Sequence, residues 1–420
     1  HTPLATVDNA SANAMMAPDT MPESTPPLKQ EETGSSDPVS VWHDWEIHHP
    51  LGAGSYVFHD KLIPSILRAA NISADITVAA KPVIVHCGYQ PNNSPHIGTM
   101  TVLALSFQLA RKLKDARSGN LSVTVQVDVV DTAPDNGEEA NVGKGFQRSL
   151  RHTGGLKAFQ DDYASLLDQF SGLSGIAYRQ TSQAELCSNA HTGAIVHAII
   201  KDRHRLGAEL SPATGKLALR AGCPECGIAD KHGARNVYDA DRGVVGFRCP
   251  RHGAHAIDVH DARDAARLEF NTPLRNLVRA LVCASDGSAA HLRVTGADYA
   301  GQYQEQLLFR QWPFLAQYDG DVDRVRRPPV HVYAPLTVDW AGSKLSKSLY
   351  VAEGAYAYLR DQGLDYLLSY RRMKEVGKDP KVVWDEVGRW IVEPKKLFRS
   401  YSVEYWHMVF TKAEEKAGRG

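Results

Sequence analysis

Four side chains that bind transition metals occur in two pairs with the same spacing. The segments "CPECG" and "CPRHG" contain Cys223 with Cys226, and Cys249 with His252. In each segment proline follows the first ligand and glycine follows the second. Two such knuckles build a tetrahedral zinc site, and four protein ligands leave no coordination position open. The sequence therefore predicts a structural zinc ion, with His255 as a less well-spaced alternative to His252.

A second group of chemically capable residues lies where a strand, a loop and a helix follow one another. A β-branched run that begins at Val83 predicts a short buried strand. The segment "QPNNSPHIGTMTVLALSFQLARKL" (90–113) then passes from a polar loop into an apolar-periodic helix, with His96 and Gly98 at its start. The first N–H groups of a helix lack partners within it and lie at the positive end of its dipole. This position therefore suits a phosphate.

A third segment, "VDWAGSKLSKSLYV" (338–351), follows another predicted strand and contains Lys344, Ser346 and Lys347. Lysine is a compact charge that suits phosphate oxygens. Alone, such a pair of lysines is common in a solvated loop. Together with a His-x-Gly at the head of the first helix of the same α/β unit, it predicts a loop that closes on a polyphosphate.

Composition limits what the rest of the chain can be. The 420 residues are 43% apolar with a formal charge of −1, as in an ordinary globular protein of two or three domains. The sequence contains no run of 18 apolar residues, so no membrane span is predicted. Six cysteines, three of them in one cluster, favour a reducing, cytoplasmic compartment over a disulfide framework.

Strands and helices alternate from residue 82 onward, which predicts an α/β fold with a Rossmann-like, doubly wound parallel sheet. Ligands of such sheets bind beyond the carboxyl ends of the strands. Residues 183–206, 261–285 and 303–317 are predicted to be helical. The predicted organisation is a disordered tail (1–40), a first half of the catalytic domain (41–206), a zinc-ribbon insertion (207–260), a second half (261–351) and a helical C-terminal region (352–420).

These signatures resemble those of the class I aminoacyl-tRNA synthetases, "HIGH" and "KMSKS". The chain has "HIGT" at 96–99 and "KLSKS" at 344–348. The segments "GYQPNNSPHIGT" (88–99), "VDVVDTAPDN" (127–136) and "TGADYAGQ" (295–302) are similar to segments of class I lysyl-tRNA synthetases. The resemblance covers about residues 82–350 and implies the synthetase catalytic fold.

The resemblance also implies a role for each matching residue. The implied catalytic residues are His96, Lys344 and Lys347, which stabilise phosphate charge while pyrophosphate leaves, so that catalysis is positioning plus electrostatics. ATP with magnesium is a candidate cofactor beside the zinc. The implied nucleotide-binding residues are Gly88, His96, Gly98, Thr99, Gly296, Asp298, Lys344, Ser346 and Lys347.

The amino acid is expected to bind at Tyr89, Asp128 and Asp131. The two aspartates stand at the end of the second predicted strand. Carboxylates at that position are candidates to pair with a cationic amino acid, and arginine fits as well as lysine because of its bidentate geometry. Capping and turn formation explain these two aspartates equally well.

Two departures from the family pattern bear on function. Thr99 stands where HIGH has its second histidine, and only residues 349–420 follow the lysine signature, where the lysyl enzyme has a large anticodon-binding domain. The chain therefore resembles a specialised paralogue, and the fungal arginine-dependent cyclodipeptide synthases are similar in size. The expected partners are an amino acid, arginine or lysine, and the acceptor end of tRNA, held through basic residues such as Lys395, Lys396 and Arg399.

Three classes of function follow from these observations. The first is an aminoacyl-tRNA-dependent transferase that forms a peptide bond. The second keeps ATP as a substrate: an amino-acid-activating ligase or a nucleotidylyltransferase, with or without tRNA. The third is a synthetase-like binding module without activity, which retention of both signatures disfavours.

Overall fold

The predicted alternation of strands and helices is present in the computed structural model, which describes residues 62–73, 75–135, 145–300, 329–345, 354 and 356–418. The predicted tail (1–40), the predicted helix at 303–317, and Ser346 and Lys347 lie outside these described residues. The strands are β1 (Val83–Tyr89), β2 (Val123–Val129), β3 (Phe146–Arg148), β4 (Tyr178–Thr181), β5 (Leu219–Ala221), β6 (Ile228–Asp230), β7 (Val237–Asp239), β8 (Val244–Cys249), β9 (Gly253–Asp258), β10 (Leu268–Phe270), β11 (Ala290–Gly296), β12 (Val330–Ala334), β13 (Thr337–Val338) and β14 (Tyr401–Ser402). The α-helices are α1 (Leu62–Ala69), α2 (Ile97–Ala116), α3 (Gln160–Ser174), α4 (Gln183–Cys187), α5 (Thr192–Lys201), α6 (Arg203–Leu210), α7 (Ala262–Ala265), α8 (Thr272–Ser285), α9 (Ala357–Asp361), α10 (Tyr370–Glu375), α11 (Lys381–Val392) and α12 (Val403–Ala417).

The central sheet has five strands in the order β12-β11-β1-β2-β4, and every neighbouring pair is parallel. The prediction of a parallel sheet is therefore confirmed. From β1 the chain adds β2 and β4 on one side, and it later adds β11 and β12 on the other. The strand order thus reverses at β1, and an α/β sheet forms a ligand crevice at such a reversal.

One face of this sheet is apolar. Its β-branched and aliphatic side chains, such as Val85, Val127 and Val294, belong to a large core together with α2, α3 and α11. Leu103 and Phe107 of α2 are fully buried in that core. The α2 helix is therefore fixed on the sheet by apolar burial, which determines where its N-terminal end points.

The opposite face carries polar side chains at alternate positions of each strand, because successive residues of a strand point to opposite faces. These side chains are His86 of β1, Gln126 and Asp128 of β2, His291 and Arg293 of β11, and His331 of β12. Helix α8 packs on this face: Arg279 binds Asp128, and Cys283 contacts His86. A polar layer therefore lies between the sheet and α8.

A second core lies in residues 187–282, around α5, α6, β8, β9 and α8. Inside it the chain differs from the sequence prediction. Residues 183–206 form three helices (α4, α5 and α6) instead of one, and 261–285 form α7, β10 and α8. The hydroxyl of Thr192 bonds the carbonyl of Leu186, and a Cβ at Gly193 would lie 2.7 Å from the Val259 carbonyl oxygen. The local hydrogen bond of Thr192 and the close tertiary approach at Gly193 outweigh the helical periodicity of the segment.

The described C-terminal residues are mostly helical, as the sequence predicts. Trp390 of α11 and Trp406 of α12 are almost fully buried and pack edge to face, with ring centroids 5.7 Å apart. Across the described residues, no helix combines the length and the apolar character that a membrane crossing requires.

Candidate active site

A cavity of about 320 Å³ lies at the carboxyl ends of β1, β11 and β12. It is the crevice that the strand reversal creates. Eight residues that the sequence places at the site line this cavity: Gly88, Tyr89, His96, Gly98, Thr99, Gly296, Asp298 and Lys344. Residues from three distant segments therefore meet at one place.

His96 caps the N-terminus of α2. Its backbone is extended (φ −91°, ψ 168°), and its Nδ1 accepts a hydrogen bond of 3.0 Å from the N–H of Gly98. A Cβ at Gly98 would lie 2.9 Å from the imidazole, so glycine makes room for the ring. Because Nδ1 accepts, the proton of the neutral ring is on Nε2, which can donate to a ligand. The sequence predicts that the helix N–H groups bind the phosphate directly, but here the imidazole already binds the N–H of Gly98.

Lys344 and Asp298 form an ion pair across the cavity. Asp298 belongs to a 3-10 turn (Ala297–Tyr299) directly after β11, and Lys344 also lies 5.9 Å from the centre of the Tyr299 ring. A Cβ at Gly296 would clash with the Asp298 carboxylate, so glycine lets this side chain lie against the backbone. This ion pair joins the lysine segment to the G-x-D segment, so an anionic ligand has to compete with Asp298 for Lys344.

Tyr89 and Gly88 form the floor of the cavity at the end of β1. The Tyr89 ring stacks on Tyr163 at 3.6 Å, and its hydroxyl donates to Gln180 at 2.8 Å. A Cβ at Gly88 would lie 2.8 Å from the Asp128 carbonyl oxygen and 3.3 Å from Arg293 Nη2. Glycine at position 88 therefore allows Arg293 to cross β1 and reach β2.

Asp128 is the carboxylate that Arg293 reaches. It is 5% exposed and lies 2.5 Å from Arg293 Nη1 and 3.0 Å from Arg279 Nε. Its other oxygen accepts hydrogen bonds of 3.0 Å from Thr181 and Gln126. Burial alone would raise the pKa of Asp128, but Arg279 and Arg293 outweigh burial and hold it below its usual value. Asp128 is therefore ionised and already paired with two guanidinium groups.

Asp131, the second predicted amino-acid ligand, points elsewhere. Its carboxylate lies 3.3 Å from Arg151 and accepts a hydrogen bond of 3.1 Å from the backbone N–H of Gln183 at the start of α4. It lines neither this cavity nor the second cavity formed by described residues. The structure therefore does not bring Asp131 together with the other predicted site residues.

The wall formed by α8 is strongly cationic, and sequence reasoning missed it. Arg275 and Arg279, four residues apart on α8, line the cavity together with Arg293. Arg275 is 6% exposed; it donates to the Phe270 carbonyl and the Thr272 hydroxyl, and its buried Nε has no partner among the described residues. Burial and the neighbouring Arg279 lower the pKa of Arg275 to about 9. This wall suits an anionic group of a ligand.

A second cavity, of about 380 Å³, lies behind this wall on the polar face of the sheet. His86, Arg279 and Cys283 line both cavities. Asp128 and Glu185 supply carboxylates to the second one. The two cavities therefore share a wall between α8 and β1.

The predicted zinc ligands meet in space. The ligand atoms of Cys223, Cys226, Cys249 and His252 all lie within 4.8 Å of one another. Cys226 Sγ and Cys249 Sγ are 3.6 Å apart, and Cys223 Sγ is 3.4 Å from His252 Nδ1. His255 stacks on Phe247 instead. Three cysteines and one histidine at these separations fit a tetrahedral zinc ion.

Backbone conformation explains why glycine follows the second ligand in each knuckle. Gly227 and Gly253 each follow the second ligand of a pair, and they have φ values of +72° and +81°. Residues with a Cβ rarely adopt such positive φ values. Each glycine therefore turns the chain back after a ligand. None of the six cysteines of the chain is in a disulfide bond.

No protein-family model matches the chain, and neither does any curated protein. Among solved structures, the arginyl-tRNA synthetase of Thermus thermophilus is similar at 10% identity, covering 77% of this chain and 60% of that one, with a TM-score of 0.27. A glutamate-tRNA synthetase from Elizabethkingia anophelis has 9% identity, coverage of 63% and 52%, and a TM-score of 0.28. The chain thus spans between half and two thirds of the length of these two enzymes. A likeness at these scores does not establish a common fold, so the residues of the cavity must carry the functional assignment.

Proposed function

We propose that this chain is an enzyme of the class I aminoacyl-tRNA-synthetase type that binds an aminoacylated adenosine in the first cavity. The observation that carries the proposal is the meeting of His96, Lys344 and Asp298, from three distant segments, around one cavity at the strand reversal. Each belongs to a segment that resembles a class I signature. A loop lysine alone, or a helix-capping histidine alone, does not indicate a synthetase-type site.

The cavity supplies binding and electrostatics. His96 donates Nε2–H to a phosphate or ribose oxygen, and Lys344 exchanges Asp298 for a phosphate. Asp298, released from Lys344, then accepts hydrogen bonds from ribose hydroxyls. Arg275, on the opposite wall, binds a phosphate or carboxylate. None of these groups forms a covalent bond, so their contribution is orientation and the stabilisation of developing negative charge.

We further propose that the reaction is peptide-bond formation from aminoacyl-tRNA, ending in a cyclodipeptide. The amine of one amino acid attacks the ester carbonyl of another, the C–N bond forms, the C–O bond to the ribose breaks, and the amine proton passes to the ribose oxygen. A second attack of the same kind closes the ring. The ester is already activated, so this route consumes no ATP.

Arginine or lysine remains the proposed amino acid, through Asp128. Its contacts with Arg279 and Arg293 support this proposal, because each places a guanidinium group on this carboxylate. A long cationic side chain that extends past the wall shared by the two cavities reaches Asp128 by taking the place of one of these arginines. Asp131 is not part of this proposal, because it faces Arg151 and α4.

The tRNA contact is proposed for the surface that follows α11. Lys395 and Arg399 are exposed there, and between them Phe398 has 65% of its surface exposed. Lysine and arginine bind backbone phosphates, and an exposed aromatic ring stacks on an unpaired base. Such contacts hold an acceptor end without reading its anticodon.

The test is mass spectrometry of the small products formed by the full chain with total aminoacylated tRNA. The expected result is a product containing arginine or lysine that forms without ATP and disappears after ribonuclease treatment. His96→Ala and Lys344→Ala are the site variants, and Lys381→Ala, whose side chain pairs with Asp385 in exposed positions, is the matched control.

Product that requires ATP and survives ribonuclease supports the second candidate, an ATP-dependent amino-acid ligase. The observation that favours that candidate is the retention of both phosphate-binding signatures. Absence of any product from either mixture contradicts the enzymatic assignment.

A further inference from the structure

A second cluster of metal-binding side chains lies away from the cysteine knuckles. His86 of β1, His291 of β11 and Cys283 of α8 have ligand atoms that lie within 4.8 Å of one another. His86 Nε2 is 2.9 Å from His291 Nδ1 and 3.8 Å from Cys283 Sγ. The three residues come from three different elements of the polar layer, so local sequence proximity does not explain their convergence.

A carboxylate fixes the orientation of one of these rings. His291 Nε2 lies 3.1 Å from Asp286 Oδ2, so Nε2 carries a proton and donates to the carboxylate. The neutral ring then presents the Nδ1 lone pair to the cluster. A histidine that binds a metal through one nitrogen commonly donates its other N–H to a carboxylate in this way.

Within the described part of the chain, the second ring has a hydrogen bond at one nitrogen only, the 2.9 Å contact between His86 Nε2 and His291 Nδ1. His86 Nδ1 is buried and has no hydrogen-bond partner among the described residues. Nothing at Nδ1 therefore holds His86 in the tautomer that donates from Nε2 to His291. In the other tautomer the lone pairs of both rings point into the cluster, and a cation between them is the arrangement that removes their repulsion.

The separations are close to those of a zinc site. Zinc–nitrogen bonds of about 2.0–2.1 Å and zinc–sulfur bonds of about 2.3 Å in a tetrahedron place two nitrogens about 3.3 Å apart and a nitrogen about 3.6 Å from sulfur. The observed 2.9 Å and 3.8 Å differ from these values by a few tenths of an ångström. Side-chain rotations are enough to make that adjustment.

The charges also suit a divalent ion. A Cys283 thiolate and the Asp286 carboxylate together carry two negative charges, which equals the charge of one zinc ion, so the centre with its orienting carboxylate is neutral. Access exists as well, because His86 and Cys283 line both cavities and His291 lines the second.

From this geometry we infer that His86, Cys283 and His291 bind a second zinc ion, with Asp286 orienting His291. Three protein ligands leave one coordination position for water or for a Lewis-basic group of a ligand. This distinguishes the centre from the closed site formed by the four knuckle residues. The inference does not depend on the proposed reaction, because it concerns metal content.

The experiment is elemental analysis of the full chain, expressed without a histidine tag in zinc-supplemented medium and dialysed against metal-free buffer. The wild type is expected to contain two zinc ions per chain. Cys283→Ala and Cys226→Ser are each expected to contain one. Cys187→Ala is the matched control: this cysteine is also buried but lies outside both clusters, and its variant is expected to retain two.

A second variant keeps the inference testable if Cys283→Ala does not fold. Asp286 is 34% exposed in its side chain, so Asp286→Asn leaves the apolar cores intact. Chelator competition is expected to show one zinc bound 10–100-fold more weakly and the other unchanged. One zinc per chain in the wild type, or two in Cys283→Ala, overturns the inference and leaves a hydrogen-bonded histidine pair only.

Discussion

Replacing Asp128 by Asn tests whether this carboxylate holds the polar layer together. Asp128 is one negative charge facing two arginines whose side chains are 10% and 16% exposed. Removing one partner of a buried ion pair costs about 3–5 kcal/mol, because the remaining charge stays desolvated without compensation. Asn has the same size and still accepts from Thr181 or Gln126, so the loss comes from charge and not from a cavity. We expect a decrease of about 3–5 kcal/mol in the free energy of unfolding.

The assay is urea unfolding followed by tryptophan fluorescence and far-ultraviolet circular dichroism. The pH dependence has a definite sign. Because the folded-state pKa of Asp128 lies below its unfolded value, the ionised carboxylate stabilises the protein fully above the unfolded pKa, which is about 3.9. This stabilisation is lost as pH falls through the folded pKa. The difference between wild type and variant is therefore expected to be constant from pH 5 to pH 7 and to shrink below about pH 4.

A double variant separates charge from packing. In Asp128→Asn combined with Arg279→Met, one uncompensated guanidinium is gone, so the second substitution is expected to restore part of the stability that the first removed. The coupling is expected to be about 0.5–3 kcal/mol. Equal stability of wild type and Asp128→Asn, or strictly additive effects in the double variant, refutes the assignment of Asp128 as the anchor of these arginines.

Four further predictions concern the cavity, the metal and the tRNA surface. Arg275→Met removes a buried cation that has no carboxylate partner among the described residues, so urea unfolding is expected to show unchanged or higher stability. Product formation is expected to fall at least about tenfold, as for one lost charged contact to a ligand. Lys344→Ala is expected to raise the KM for the aminoacyl substrate and to make binding less dependent on salt, because one phosphate contact is lost; an unchanged salt dependence contradicts the contact. Cys226→Ser is expected to lower zinc by one ion per chain and to give unstable protein, and active wild-type protein without zinc contradicts a structural metal. Phe398→Ala is expected to weaken tRNA binding by about 1–3 kcal/mol in a filter-binding assay, as for one lost base stack, and equal affinity excludes stacking there.

The sheet and the motifs that end its strands were predictable from local pattern. β-Branched runs identified β1 and β2, and turn residues marked the loops at their carboxyl ends. The head of α2 was predictable because His96 and Gly98 interrupt an otherwise apolar periodic segment. The two Cys/His pairs identified each other by equal spacing. In each case the information lies within a few residues of the chain.

The polar layer was not predicted, although its signal is present in the sequence. Arg275, Arg279 and Cys283 are spaced four apart on α8, so they share one face of the helix. His86 stands inside the apolar run of β1, its register partner on β2 is Gln126, and Asp128 lies two residues further along β2 on the same face. The sequence of each element, taken alone, predicts a buried helix or strand with an occasional polar residue. Only the pairing of α8 with the second face of the sheet, which depends on residues far apart in sequence, shows that these side chains meet.

The same long-range dependence applies to Asp128. Its position at a strand end predicts a place near the ligand crevice, and its carboxylate lines the second cavity, but its two arginine partners come from α8 and β11, far later in the chain. A cationic substrate can reach this carboxylate only by displacing one of these arginines. Sequence position gives the location of a charge, whereas its availability depends on partners that the tertiary fold supplies.

The charge balance of the first cavity links its stability to its ligand. Asp128 compensates one of the two arginines that it contacts, Lys344 is compensated by Asp298, and Arg275 has no carboxylate among the described residues. The described wall therefore carries more positive than negative charge in a partly desolvated space. An anionic group of a substrate removes this imbalance when it binds, so the electrostatic cost of placing these cations side by side becomes a contribution to substrate affinity.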